Sequence, residues 1–307
     1  MKYQLKEDHP LFRALETDDP AWWQNLKKDK ETYCDIRKNN TINIYYNGGS
    51  ILRLSYNQGY RALIHPEYLP LKGEGEYLRV HLNGHKAFID DPGIIDFQDF
   101  APIALARIKK RIRNHFPRNS EKAIQGRYVT DQLNSKRRDG FFIDTEFEYS
   151  VRQKNGRWRI GRIDLVWVDR DSRQIILVEL KTRNDARIQP QNADRPGGIE
   201  DQLGEYRRFL GDAKNQAEIK SHYEKVYQIK KRLGLLRGFT KHPTLKDYSV
   251  AERPVLLVGD ATQDWIRTQA GDLYGRIAPL VMGLFCQGIG TNSFRIPKRG
   301  AKHTFGF

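Results

Sequence analysis

Apolar and polar residues along this chain repeat with two different periods, and the changes of period mark its elements. In TINIYYN (41–47) and SILRLSY (50–56), then in YLRVHL (77–82) and HKAFID (85–90), the period is two, as in half-buried strands. Gly48-Gly49 separates the first pair of runs and Asn83-Gly84 the second. Both tolerate positive φ, so the spacing predicts two hairpins. With Trp22 and Trp23 anchoring a preceding helical segment, residues 1–95 read as a mainly antiparallel β domain for substrate binding or self-association.

The period then lengthens. After the acidic bend DDPGIIDFQD (90–99), Ala104, Ile108, Ile112 and Phe116 recur every four residues, with Asp96 or Asp99 as cap and Pro117 as stop. Lys109, Lys110, Arg111 and Arg113 fall off that stripe. A second helix is expected over about 119–137, capped by Ser120. A strand over 141–151 follows, then two more at about 158–169 and 174–182, and a polar connection. IEDQLGEYRRFL (199–210) is helical in pattern, as is the segment carrying Ile219, Tyr223, Val226 and Leu233 up to Gly234. PVLLVG (254–259) reads as a buried strand, and 279–307 carries no assignable period. This order implies an α/β layer on a mixed sheet over 96–307.

One stretch breaks the pattern. GRIDLVWVDRDSRQIILVELKTR (161–183) is two apolar strands and a polar turn, yet Asp164, Glu179 and Lys181 sit inside the apolar runs. A buried unpaired carboxylate costs several kcal/mol or changes its ionisation state. Glu179 and Lys181, two apart, share one strand face, while Ile176, Val178 and Leu180 take the other. The turn makes the preceding strand an antiparallel neighbour, so Asp164 reaches the same face. Two physical solutions satisfy such a cluster. One is a buried ion network, seldom more stable than apolar packing. The other is a hard cation such as Mg²⁺, which takes a couple of carboxylates and completes its shell with water and substrate phosphate.

Asp164 followed by Glu179-Leu180-Lys181 resembles the D…(D/E)-x-K signature of the PD-(D/E)xK nuclease superfamily. Gly161-Arg162-Ile163-Asp164 looks like the G-x-x-D of its RecB-like branch, Glu179-Leu180-Lys181-Thr182 like that branch's D/E-x-K-T, and Gln202-Leu203-x-x-Tyr206 like its Q-x-x-x-Y helix. The likeness covers about 119–260 and implies a restriction-endonuclease-like αβββαβ core. It implies that Asp164 and Glu179, with the Leu180 carbonyl, bind Mg²⁺ or Mn²⁺, and that Lys181 is the catalytic lysine. Gln202 and Tyr206 would orient catalytic groups or touch DNA, and cleavage would leave a 5′-phosphate. Glu121, Gln125 and Gly126 fall where the family's first helix faces its site, and Glu121 and Glu146 are the candidates for an outer metal carboxylate. Thr130 stands where many members carry a histidine, and Ile163 where the superfamily's name has proline.

Charge adds a partner. Formal net charge is +15, and residues 101–160 alone hold 15 Lys/Arg against 6 Asp/Glu. That concentration suits a phosphate-tracking surface, with Lys109, Lys110 and Arg111 on the helix and Arg183, Arg187 and Arg195 in the loop after Lys181. The basic tail FRIPKRGAKHTFGF is a second arm of this kind or a solvated end. Cys34 and Cys286 form neither a disulfide framework nor a four-cysteine cluster. His81 and His85 face opposite sides of their hairpin, which argues against a metal site there. No Walker A sequence occurs, so a helicase or defence-system partner would be a separate protein. No apolar run suggests a leader or a span, and a cytoplasmic protein without membrane contact is expected. The expected function is metal-dependent hydrolysis of DNA, with RNA and homo-oligomers left open. The competing expectation is a non-catalytic nucleic-acid-binding protein that keeps the fold.

Overall fold

In a computed structural model the described residues are 5–64, 68, 78–83, 86–89, 97–98, 102–135, 139–152, 158–190, 197–237, 239, 244–288 and 304–306. They form two compact units, one from Met1–Thr130 and Lys225–Lys241, the other from Asp131–Glu224 and His242–Phe307. The chain is mixed α/β, with one antiparallel and one mixed sheet. No helix among the described residues is long and apolar enough to cross a membrane.

The first unit opens with helices α1 (Pro10–Thr17) and α2 (Ala21–Lys28). The strands β1 (Thr32–Arg37), β2 (Thr41–Tyr46), β3 (Gly49–Tyr56), β4 (Tyr60–Ile64), β5 (Leu78–Asn83), β6 (Lys86–Ile89) and β7 (Phe97–Gln98) pair antiparallel in chain order. Trp22 and Trp23 are fully buried, and Trp22 meets Tyr60 edge-on at 5.4 Å, which anchors α2 as expected. The first hairpin turns one residue away from the expected place. Tyr46 pairs with Gly49, so the turn is Asn47-Gly48, with φ of 49° and 78°. These angles suit the type I′ turn that matches strand twist. Asn83 pairs with Lys86 and Leu82 with Ala87, so Leu82 does not oppose His85. Gly84 and His85, the candidate caps Asp96 and Asp99, and the tail over 289–303 lie outside the described residues.

Helix α3 (Pro102–His115) buries Leu105, Ile108 and Ile112, and a Cβ on Gly49 would fall 2.5 Å from Ile112. That packing puts α3 with the first sheet, so the units divide later than residues 95/96. Ser120 caps α4 (Glu121–Asn134), its Oγ accepting from Ala123 N at 3.2 Å. Gly126 presses on the Asn47-Gly48 turn: a Cβ there would meet Gly48 N at 2.5 Å, and one on Gly48 would meet the Lys122 carbonyl at 2.1 Å. Gly126 is therefore needed by this packing.

In the second unit β8 (Gly140–Arg152), β9 (Trp158–Asp169) and β10 (Gln174–Thr182) pair antiparallel with one another in chain order. After helices α5 (Ile199–Leu210) and α6 (Ala213–Arg232), β11 (Ser249–Val250) and β12 (Val255–Gly259) pair parallel with β10. The helical segment Gln263–Ile277 and strands β13 (Gly283–Gln287) and β14 (Thr304–Gly306) were not foreseen; the strands extend the sheet in parallel. The sheet order is β14-β13-β12-β10-β9-β8, with β10 and β12 almost wholly buried at its centre.

Candidate functional site

Register builds the cluster. Val178 pairs with Leu165, so the next step of the ladder sets Glu179 across from Asp164. The Leu180 amide donates to Asp164 Oδ2 at 2.9 Å, locking that carboxylate beside β10. Lys181 Nζ bonds Glu179 Oε1, donates to the Leu180 carbonyl at 3.0 Å and lies 3.9 Å from Asp164 Oδ2. Glu179 and Lys181 are each 1% exposed, whereas the Asp164 side chain is 16% exposed and gives the cluster its opening.

Helix α5 supplies the rest. Gln202 and Tyr206, one turn apart, share a face. Gln202 Nε2 donates to Glu179 Oε1 and to the Tyr206 hydroxyl, each at 2.6 Å. That hydroxyl, with one proton to give, lies 2.9 Å from Glu179 Oε2 and 2.8 Å from the Arg162 carbonyl. Leu203, Tyr206 and Phe209 bury the helix on the sheet. Gly161 is dictated by packing too, since a Cβ would fall 2.2 Å from the Tyr149 ring.

The electrostatics are unbalanced. Burial first, and the Asp164 charge second, push Glu179 well above the carboxylate range, with Lys181 only partly offsetting them. Burial, then Glu179, push the Tyr206 phenol up as well. The Gln202 Oε1 atom is buried without a hydrogen-bond partner. Hard oxygen donors from Asp164, Glu179 and the Leu180 carbonyl fit Mg²⁺ or Mn²⁺, and a divalent cation would relieve the carboxylate repulsion. The residues present thus fit the group.

Several expected contributors stand elsewhere. Among the described residues no group of three or more His, Cys, Asp or Glu forms a metal cluster, so Glu146 does not complete one with Asp164 and Glu179. Glu121 opens α4 in the first unit. Glu146 has φ 55° and stands 3.8 Å from Arg162, which also bonds Glu148 at 3.0 Å. Thr130 bonds back to the Gly126 carbonyl at 3.0 Å, as a helix threonine does.

The basic residues are redistributed as well. Lys109 is buried, its ammonium held by Asp29 at 2.5 Å and Glu31 at 2.8 Å, so it is not part of a basic surface. Lys110 and Arg111 are exposed. Arg187 clasps Asp185 through two bonds of 2.9 and 2.6 Å, so its charge is already engaged. Burial alone would raise Asp185, but the Arg187 side-chain and backbone bonds bring it below its ordinary value. Arg183 is half-buried and Arg195 lies outside the described residues.

Asp260 escaped the sequence reading. It follows β12 with φ 55°, and its Oδ1 accepts from the Arg183 amide at 3.0 Å, fixing the chain where it leaves Lys181. The acid directly after PVLLVG was the available signal. Comparison with models of protein families, with curated proteins and with solved structures returns no match, so the chemistry rests on the residues of the site itself.

Proposed function

We propose that this chain is a metal-dependent nuclease that hydrolyses phosphodiester bonds in DNA, and that its second unit is a restriction-endonuclease-like core. The observation that carries the reading is the convergence of Asp164, Glu179 and Lys181 at one opening, with both Glu179 oxygens gripped from α5. The order α4, β8, β9, β10, α5, α6, β11, β12 along the chain supports it.

Asp164, Glu179 and the Leu180 carbonyl would hold Mg²⁺ or Mn²⁺. When bound, the ion supplies Lewis-acid polarisation of a phosphoryl oxygen. Gln202 and Tyr206 hold the Glu179 carboxylate in one orientation, so no reorganisation is needed when substrate arrives. Lys181, whose ammonium lies 3.9 Å from Asp164 Oδ2 at the same opening, would offer its positive charge to the charge growing on the phosphate. Water adds its oxygen to phosphorus and gives one proton to solvent, the P–O3′ bond breaks with its electron pair on O3′, and O3′ takes one proton back from solvent.

The test compares wild type, Lys181→Ala and Asp164→Asn on single-stranded, duplex and branched DNA with Mg²⁺, with Mn²⁺ and with chelator. Each variant is expected to lose at least about 100-fold in cleavage while keeping its DNA binding. Linear against circular substrates then separates exonuclease from endonuclease action. A second reading, favoured by the near-total burial of both Glu179 and Lys181, is a structural ion pair in a non-catalytic nucleic-acid-binding protein. Wild type that cleaves nothing with either metal would establish that reading and end the first.

A further inference from the structure

We propose that the exposed face of α3, continued by Arg118, grips the phosphate backbone of duplex DNA. This concerns the first unit alone and goes beyond the nuclease reading, since it needs no cleavage. Residues 102–120 contain Arg107, Lys109, Lys110, Arg111, Arg113 and Arg118 and no Asp or Glu. The fold divides these charges into two sets. Lys109 is buried between Asp29 and Glu31 and lies 5.1 Å from the Tyr46 ring centre, while Arg113 Nε donates to the Tyr46 hydroxyl at 3.0 Å. These two serve the unit's own packing.

The other set points away. At about 100° per residue, Arg107, Lys110, Arg111 and Asn114 fall within an arc of about 100°, opposite Leu105, Ile108 and Ile112. All four are exposed, as is Arg118 beyond the Pro117 stop. The Arg127 guanidinium donates to the Arg118 carbonyl at 2.8 Å and fixes the backbone there. Among the described residues no carboxylate pairs with Arg107, Lys110 or Arg118.

A merely solvated helix face usually interleaves acids at four-residue spacing, and like charges so placed repel. Here Arg107 and Lys110, three apart and so neighbours on the helix, are a like-charged pair with no acid on α3 to relieve them. A polyanion relieves that repulsion. The stripe from 107 to 114 is about 10 Å long by helix rise, or about three base-pair steps at the 3.4 Å spacing of each strand. A membrane surface is the poorer partner, because an interfacial helix offers an open apolar face and α3 has buried its own.

The experiment titrates fluorescent duplex DNA with the full chain in chelator, between about 50 and 200 mM salt. The triple variant Arg107→Ala/Lys110→Ala/Arg118→Ala is expected to bind roughly tenfold or more weakly, and its log K against log salt slope should shrink by about 0.9 per lost contact. Its melting temperature should match wild type. Lys109→Met should melt earlier yet keep the wild-type slope. A triple variant with wild-type affinity and slope overturns the proposal, as does wild type that binds phosphatidylserine vesicles and not the duplex. Because chelator removes metal-dependent cleavage, either result leaves the nuclease test standing separately.

Discussion

At the scale of single residues, the site is held by atoms with no room to spare. Gly161 is the clearest case, because the ring of Tyr149 occupies the space a Cβ would need. Gly161→Ala should destabilise the second unit by about 1–3 kcal/mol, as overpacking does. The substitution Tyr149→Leu should recover part of that loss in the double variant. A denaturant-based double-mutant cycle reads the coupling, and strict additivity would mean that the ring is not what the glycine accommodates. Asp164, Glu179 and Lys181 were legible because acids and a lysine stand out within apolar strands, and two-residue alternation says which face they share. Asp260 was not, because its work is a backbone cap at a strand end 77 residues from the amide it holds.

At the scale of elements, strands and helices with uninterrupted periods appear where expected, β9, β10 and α5 almost to the residue. Turns and pairings were less legible. Two adjacent residues of the Asn47-Gly48-Gly49 run could each begin the turn, and only the cross-strand ladder chooses. The approach of α4 to that turn is long-range and leaves no periodic trace. It assigns Gly48 and Gly126 a shared structural duty. Gly48→Ala meets both a left-handed backbone and the Lys122 carbonyl, so it should cost more than about 1 kcal/mol. Gly126→Ala should destabilise the first unit in the same way. Cleavage per folded molecule, measured below the melting transition, should be unchanged for Gly126→Ala. A selective loss of turnover with stability intact would instead give this glycine a role at the reacting centre.

At the scale of the whole molecule, each unit carries one buried thiol, Cys34 on β1 and Cys286 on β13. Burial pushes each thiol up to about 12. At neutral pH both are protonated and shielded, so a thiol reagent should label neither cysteine in the native chain. Each cysteine then reports the opening of its own unit as denaturant is raised. Cys34→Ala and Cys286→Ala assign the two signals, and separate midpoints would mean that the units unfold independently. The same shift fixes a pH dependence. The ordinary value is 9.0, so between 9 and about 12 the unfolded chain has released a proton that the native chain still holds. Fewer protons bound in the unfolded state means that stability falls as pH rises through this window. One unit above the ordinary value, each thiol should contribute about 1.4 kcal/mol of that loss. Denaturation at pH 8 and pH 10 should therefore show a smaller loss for Cys34→Ala than for wild type. An equal loss in both would mean that Cys34 ionises in the folded unit as readily as in the unfolded chain.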